Sequence, residues 1–308
     1  MTGTTITCLG KLPVHGDFVR LNQGQVPEIV EFDRWLLEGM ERAYGARGRG
    51  FEAELRALPP LRFLYTSRQS GRVLDGLVLP SADQVGRAYP FVAGFAIGAI
   101  APGPGYDRLP LLAMPSFTAL GDLVATGGSS GQLAPFLEQL LTIAYAADDN
   151  AGEQALRSFL FGTTLDALCA DWPQGHVPEH LKACLLDLRQ MCQPPFPPRY
   201  LTAIPSRGAP AEACFWLTLV RQWLCARTNP TLVAWPANQG RGPVRLLYDD
   251  LHARYFEAVF WPERSTQLLD LGRATHRPPP LHQRDGGTAG SARPRVLLQD
   301  VILGAARG

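Results

Sequence analysis

TTITCLGKLPVHGDFVRLN, residues 4–22, decides how the rest of the chain is read. Its first seven residues are β-branched or apolar and end on Gly10, which is the pattern of a β-strand. That strand runs straight into GKLPVHGDFVRLN (10–22), where Gly, Lys, Pro, His, Asp and Arg crowd together. Such a stretch either performs chemistry or presents a shaped surface. The Gly10-Lys11 pair fails as a phosphate loop. That motif needs an earlier Gly at the place held by Thr5 and a hydroxyl side chain at the place held by Leu12. A structural role suits the residues better: Gly10 and Gly16 permit tight backbone paths, Pro13 stiffens the loop, and Asp17 can accept backbone hydrogen bonds in a turn.

Outward from this stretch, PEIVEFDRWLLEGMERAY places Ile29, Phe32, Trp35, Leu36, Met40 and Tyr44 near a 3.6-residue period, with Pro27 and Glu28 suited to a helix start. LRFLYTS (61–67), RVLDGLVLP (72–80) and VAGFAIGAI within 89–103 read as strands, so a sheet with helices on its faces takes shape. Helices are expected over 114–126, 134–147 (apolar on most of its circumference, hence buried), 153–172, 178–192, 212–227 and 249–261, with strands in RYLTAIP and at 230–236. The fold class is therefore α/β. The expected units are an N-terminal α/β domain over 1–150, a smaller mixed α/β region over 151–272, and a Pro/Gly/Arg-rich, mostly disordered tail over 273–308. RVLLQDVIL (295–303) is an edge strand or a short docking segment.

Two other chemical motifs fail at named positions. GGSSG (127–131) matches G-x-S-x-G with Ser129 as nucleophile, but that elbow needs a strand before it, and the preceding segment reads as helix. His176, His180 and Cys184 are spaced for one helix face, yet Pro178 starts the helix after His176 and no fourth ligand lies nearby. Neither a metal nor a cofactor is expected. A second dense loop, PSADQVGRAYP (80–90), sits between two strands and repeats the mixture of the first. If Asp17 or Asp83 lies near Arg20 or Arg87, ion pairs tie the two loops together. A surface pair contributes only about 0–1 kcal/mol, so stability alone is a weak reason for such a cluster.

Charge narrows the partners. The chain has 29 Lys plus Arg against 28 Asp plus Glu over 308 residues, a net +1 that gives no global field for nucleic acid or an acidic membrane. Local basic character sits in the tail, where six arginines from Arg273 onward face Asp285 and Asp300. The start lacks the basic region and long apolar run of a secretory signal, and 89–103 is broken by Pro90, Gly94, Gly98 and Pro102, so the protein is expected in the cytoplasm without membrane insertion. The six scattered cysteines form no CxxC and are expected as reduced core thiols.

Taken together, GKLPVHGDFVR (10–20), FDRWLLEGM (32–40) and VLPSADQVGRAYPF (78–91), in this order and separation, resemble the TagF family, also called ImpM, of accessory proteins encoded with bacterial type VI secretion systems. PTLVAWP and the turn and helix after it (230–260) are similar to the family's closing elements, although Val233 stands where an aromatic is expected and GRGPVRLLYDDL replaces a Gly-Leu-Pro turn. The resemblance implies a three-layer α/β N-terminal domain. It also implies a non-catalytic, post-translational repressor of type VI secretion that binds the forkhead-associated scaffold protein. The candidate partner-binding or motif residues are Gly10, Lys11, Pro13, His15, Gly16, Asp17, Phe18 and Arg20 in the first loop, with Pro80, Ser81, Asp83, Gly86, Arg87 and Pro90 in the second. Two other readings compete: a small hydrolase or phosphate-directed enzyme using Asp17 with Asp83, or Ser129, and a structural subunit of the secretion apparatus.

Overall fold

Strand after strand along the chain buries alternate side chains on opposite sides of one sheet. The computed structural model describes residues 4–127, 132–168, 201–204, 209–223, 228–237, 242–262, 268–270, 297 and 301, with backbone alone for 49, 127, 201–204, 223 and 268–270. The strands are β1 (Thr5–Gly10), β2 (Val19–Leu21), β3 (Leu61–Thr66), β4 (Arg72–Leu79), β5 (Phe91–Ala99), β6 (Leu201–Ile204), β7 (Leu232–Pro236), β8 (Val244–Leu247) and β9 (Leu268–Asp270). They form one sheet in the order β2-β1-β5-β4-β3-β7-β8-β6-β9. The described neighbours are antiparallel except β6 and β9, which run parallel, so the sheet is mixed.

The period of two sorts the core into two layers. Cys8, Leu64, Val73, Leu77, Phe95 and Trp235 face one side, where helices Met114–Gly127, Leu133–Thr142 and Pro210–Trp223 add Phe117, Phe136 and Trp216. Leu9, Phe63, Leu74, Val78, Val92 and Ala234 face the other, covered by the long helix Pro27–Arg47 and the short helix Phe256–Phe260. The three-layer α/β architecture expected for residues 1–150 is present, but β6–β9 and the helices Pro210–Trp223 and Phe256–Phe260, from the region expected as a second unit, extend the same sheet and its two layers.

The long helix starts with Pro27 in its first turn, where a missing N–H costs nothing, and buries Ile29, Phe32, Trp35, Leu36, Gly39 and Ala43. Phe32 stacks on Phe63 at 4.4 Å between ring centroids. Gly39 is the point of closest approach to the short helix, because a Cβ there would lie 2.4 Å from Phe256. Trp35 donates its Nε1–H to the carbonyl of His252 at 3.0 Å.

The strands expected at 4–10, 61–67, 72–80, 89–103 and 230–236, the strand in RYLTAIP and the helices at 114–126 and 212–227 are present within a few residues of those bounds. Three helices differ from expectation. The one expected over 134–147 spans Leu133–Thr142 and buries only Phe136 and Leu140, while Leu141 is exposed. It stops because Ser116 takes over the following backbone, donating to the Ala144 carbonyl and accepting from the Ala146 amide. The helix expected from 153 begins at Asp149, capped by the Asp148 carboxylate on the Ala151 amide. It ends at Gly162, and Thr164 then accepts from the Ala167 amide to start a separate turn, Leu165–Leu168. The closing helix expected over 249–261 is only a 3-10 turn, Ala253–Tyr255, followed by Phe256–Phe260. Its first residues are held out of helix by Asp249, whose carboxylate accepts from Tyr255 and Arg254 side chains and the Asp250 amide.

Unexpected elements are β2, β8, β9, the helix Phe51–Arg56 and two short turns, Pro104–Asp107 and Leu109–Leu112. The 178–192 helix, Ser129 and most of the 273–308 tail lie outside the described residues, except that Leu297 bridges Thr164 and Val301 packs against the core. Cys8 and Cys214 are buried free thiols, and burial pushes the Cys8 thiol up to about 12, so it stays protonated at neutral pH. Among the described residues, no helix is long and apolar enough to cross a membrane.

Candidate interaction surface

The two motif loops meet at one end of the sheet because β1 and β5 are neighbours. Leu9 pairs with Val92, so the exit of β1 and the entry of β5 are forced together. Gly10 makes this possible. Its φ of +124° is open to glycine, and a Cβ there would sit 2.2 Å from the Pro90 carbonyl oxygen and 2.7 Å from the Phe91 Cα.

The second loop is a small hairpin. An isolated bridge joins Ala82 to Ala88, the Tyr89 amide donates to the Ser81 carbonyl, and Gly86 takes a φ of +89° at the turn. Asp83 is its organising residue, with a side chain that has no solvent exposure. One carboxylate oxygen accepts the amides of Val85 and Arg87, and the other accepts Arg87 Nε at 2.6 Å and lies 3.1 Å from Lys11 Nζ. Burial pushes this carboxyl up. The hydrogen bonds from the Arg87 backbone and the Lys11 and Arg87 side chains outweigh it and hold the group well below the usual carboxylate range.

The same charged groups clasp the loops to each other. Arg87 Nη2 donates to the Gly16 carbonyl at 3.1 Å, and the Gln84 amide donates to the His15 carbonyl at 3.1 Å. Lys11 Nζ also reaches the Arg87 carbonyl at 3.4 Å. Tyr89 donates its hydroxyl proton to Asp33, tying the second loop to the long helix, and Phe18 meets the Tyr89 ring edge-on at 5.0 Å. Arg20 stacks over Phe18 instead of joining an ion pair.

Gly10, Lys11, His15, Gly16, Ser81, Asp83, Gly86, Arg87 and Pro90 thus form one clasp, and Phe18 and Arg20 flank it. Pro13 and Asp17 are exposed, and Pro80 lies just beyond the end of β4. Among the described residues Asp17 makes no hydrogen bond or ion pair, so the backbone-capping role expected of it belongs to Asp83. Three participants were not among the sequence candidates: Gln84 acts through its backbone, Tyr89 through a hydroxyl aimed at a distant helix, and Val85 through exposure. Val85 is 74% exposed at the hairpin tip. An apolar residue in an otherwise polar turn is the one sequence signal that marks it.

The arrangement does not assemble acid–base chemistry. All of Asp83's bonding capacity is committed to Lys11, Arg87 and two amides, and Asp17 stands apart without a partner among the described residues. The segment leading to Ser129 is helix to Gly127, so the strand that a nucleophile elbow requires is replaced by a helix. A cleft of about 450 Å³ lies elsewhere, between β3, β4 and the helix Met114–Gly127, and is lined by Arg62, Leu77, Met114, Phe117, Thr118 and Asp122. Beside it lies a buried ion pair invisible in the sequence: Arg62 Nη2 donates to Asp75 at 3.0 Å, and the guanidinium sits 3.4 Å from the Phe117 ring centroid. Burial pushes the Asp75 carboxyl up to about 6, with Arg62 and Tyr145 pulling the other way.

Residues 7–148 match the family model described as TagF N-terminal domain, Type VI secretion system-associated. No curated protein matches. Among solved structures, the chain is similar to the crystal structure of PA0076 from Pseudomonas aeruginosa PAO1, with 20% sequence identity, 83% of this chain and 94% of that chain covered, and a TM-score of 0.43.

Proposed function

From the match of residues 7–148 to the TagF N-terminal domain, Type VI secretion system-associated, we propose that this chain is a TagF-family protein and a non-catalytic, post-translational repressor of that secretion, acting by binding the forkhead-associated scaffold protein. The clasped loop pair is the partner-facing surface. The observation that carries this reading is the division of labour in the clasp. Lys11, Asp83 and Arg87 hold the loops in shape, which leaves Val85, Asp17, Pro13 and Arg20 displayed on a pre-organised face. Pre-organisation matters energetically, because ordering a loop on binding costs affinity. Sequestering the scaffold keeps the apparatus from assembling or firing, and the site of action is the cytoplasm. The saturated hydrogen bonding of Asp83 supports a binding protein over an enzyme.

Calorimetry with the purified scaffold tests the proposal. Val85→Glu and Asp17→Arg change only exposed side chains, so they are expected to weaken binding at least about tenfold, a loss of ~1.4 kcal/mol, with thermal stability unchanged. Wild-type chain that fails to bind the scaffold at about 100 µM overturns the scaffold as partner. Full affinity in both variants overturns the loop pair as its surface.

A further inference from the structure

The long helix carries a second surface, on the side away from the sheet. Six large apolar side chains are exposed among the described residues, and three of them, Val30, Leu37 and Tyr44, lie on this one helix at 41%, 48% and 49% exposure. They recur every seventh residue. At about 100° per residue they fall within roughly 40° of one another and opposite the buried stripe of Phe32, Trp35, Gly39 and Ala43. The line is about 21 Å long at ~1.5 Å per residue. Scattered exposed apolar residues need no explanation, but a straight row on a helix ridge does.

The charges between them identify what fits. Arg34 lies between Val30 and Leu37, and Glu41 between Leu37 and Tyr44, both exposed and on the same flank of the row. A second copy of this helix laid antiparallel, with the two-fold axis at Leu37, sets Val30 against Tyr44, Leu37 against its own counterpart, and Arg34 against Glu41 twice over. A parallel copy would set this flank against the opposite flank of its partner, with Arg34 and Glu41 about 10 Å apart along the axis at ~1.5 Å per residue, and would form neither pair. Glu38, farther round the same flank, has Arg34 and Arg42 at i−4 and i+4, which offset its approach to its own copy. The row is thus self-complementary in shape and charge in one orientation only.

We propose that this face is the isologous interface of a homodimer, two chains joined by antiparallel contact of residues 30–44. A single helix-on-helix contact is smaller than the roughly 1,000 Å² of an independently stable interface, so the dimer is weak, with a dissociation constant on the order of 10–100 µM. The scaffold-facing loops do not take part in it.

Sedimentation equilibrium of the full chain, up to about 300 µM, reads the association directly. The wild type is expected to approach twice the single-chain mass. Leu37→Glu places two carboxylates at the two-fold axis and is expected to keep the chain monomeric. Arg34→Glu and Glu41→Arg each create two like-charge pairs and are expected to weaken association at least about tenfold, while the double swap restores it to within about threefold. All three substituted positions are exposed, and circular dichroism checks the folding of the four variants. A wild type that stays monomeric at the highest concentration overturns the interface. Association that survives Leu37→Glu, or that the double swap fails to restore, overturns the face or its antiparallel register. If Leu37→Glu instead removes scaffold binding from a monomeric wild type, the row belongs to the scaffold and the homodimer is rejected.

Discussion

Replacing Asp75 with Leu and Arg62 with Met, singly and together, perturbs the buried pair beside the cleft. The Asp75 side chain has no exposure and that of Arg62 has 4%, so neither charge has water to fall back on. Asp75→Leu strands a guanidinium that cannot deprotonate, already lodged against Phe117 with its Nε unpartnered. Arg62→Met strands a carboxyl, which can respond by protonating. Breaking a buried pair from one side costs about 3–5 kcal/mol, whereas replacing both charges by apolar groups of similar volume is often nearly neutral. The double variant is therefore expected within about 1.5 kcal/mol of wild type, giving a coupling of several kcal/mol. Urea unfolding at pH 7.5, with midpoints compared at equal slope, measures all three. The pH dependence adds a signed check. The folded carboxyl sits at about 6, above its ordinary value, so its contribution is full below about pH 4 and is lost as pH rises through about 6. Wild-type stability measured relative to Asp75→Leu should fall between pH 4 and pH 7. Additive single effects, or singles costing under about 1 kcal/mol, would refute the reasoning, because both outcomes require charges that are not desolvated together.

Four other outcomes follow from the geometry. Gly10→Ala forces a side chain into the Pro90 carbonyl at a positive φ, and thermal unfolding should show a loss of about 3 kcal/mol or more, or failure to fold. Asp83→Ala should release the hairpin without unfolding the sheet, read as faster hydrogen exchange at the Val85 and Arg87 amides. In the wild type, the depressed Asp83 carboxyl stabilises the fold above about pH 4, and that contribution should disappear as the pH falls through its folded value. Trp35→Ala removes a fully packed indole and leaves the His252 carbonyl only its bond from the Tyr255 amide, and should cost about 3–5 kcal/mol in urea unfolding, with scaffold binding by the folded fraction unchanged.

Elements with strong local signals were legible from the residues alone. The β-branched run at 4–10 and the strands at 61–67 and 72–80 carry their own pattern. The apolar period after Pro27 announces the long helix in the same way. The two motif loops were also legible as a pair, since Gly, Pro and Asp at strand ends specify turns whatever surrounds them. What the sequence left open depends on partners distant along the chain. The helix expected over 134–147 ends early because Ser116, on another helix, bonds its backbone. The segment 249–252 stays unwound because Asp249 finds Tyr255 and Arg254. Strands of three or four residues such as β2, β8 and β9 exist only because a neighbour offers its edge, so local propensity alone does not mark them. The same limit applies to the site. Composition placed Lys11, Asp17, Asp83 and Arg87 in two loops, but only the pairing of β1 with β5 decided that Asp83 would bind Lys11 and Arg87 while Asp17 would be left in solvent. Turn chemistry is local and was therefore readable. Which charge is buried is a property of the assembled surface, and only the tertiary structure fixed it.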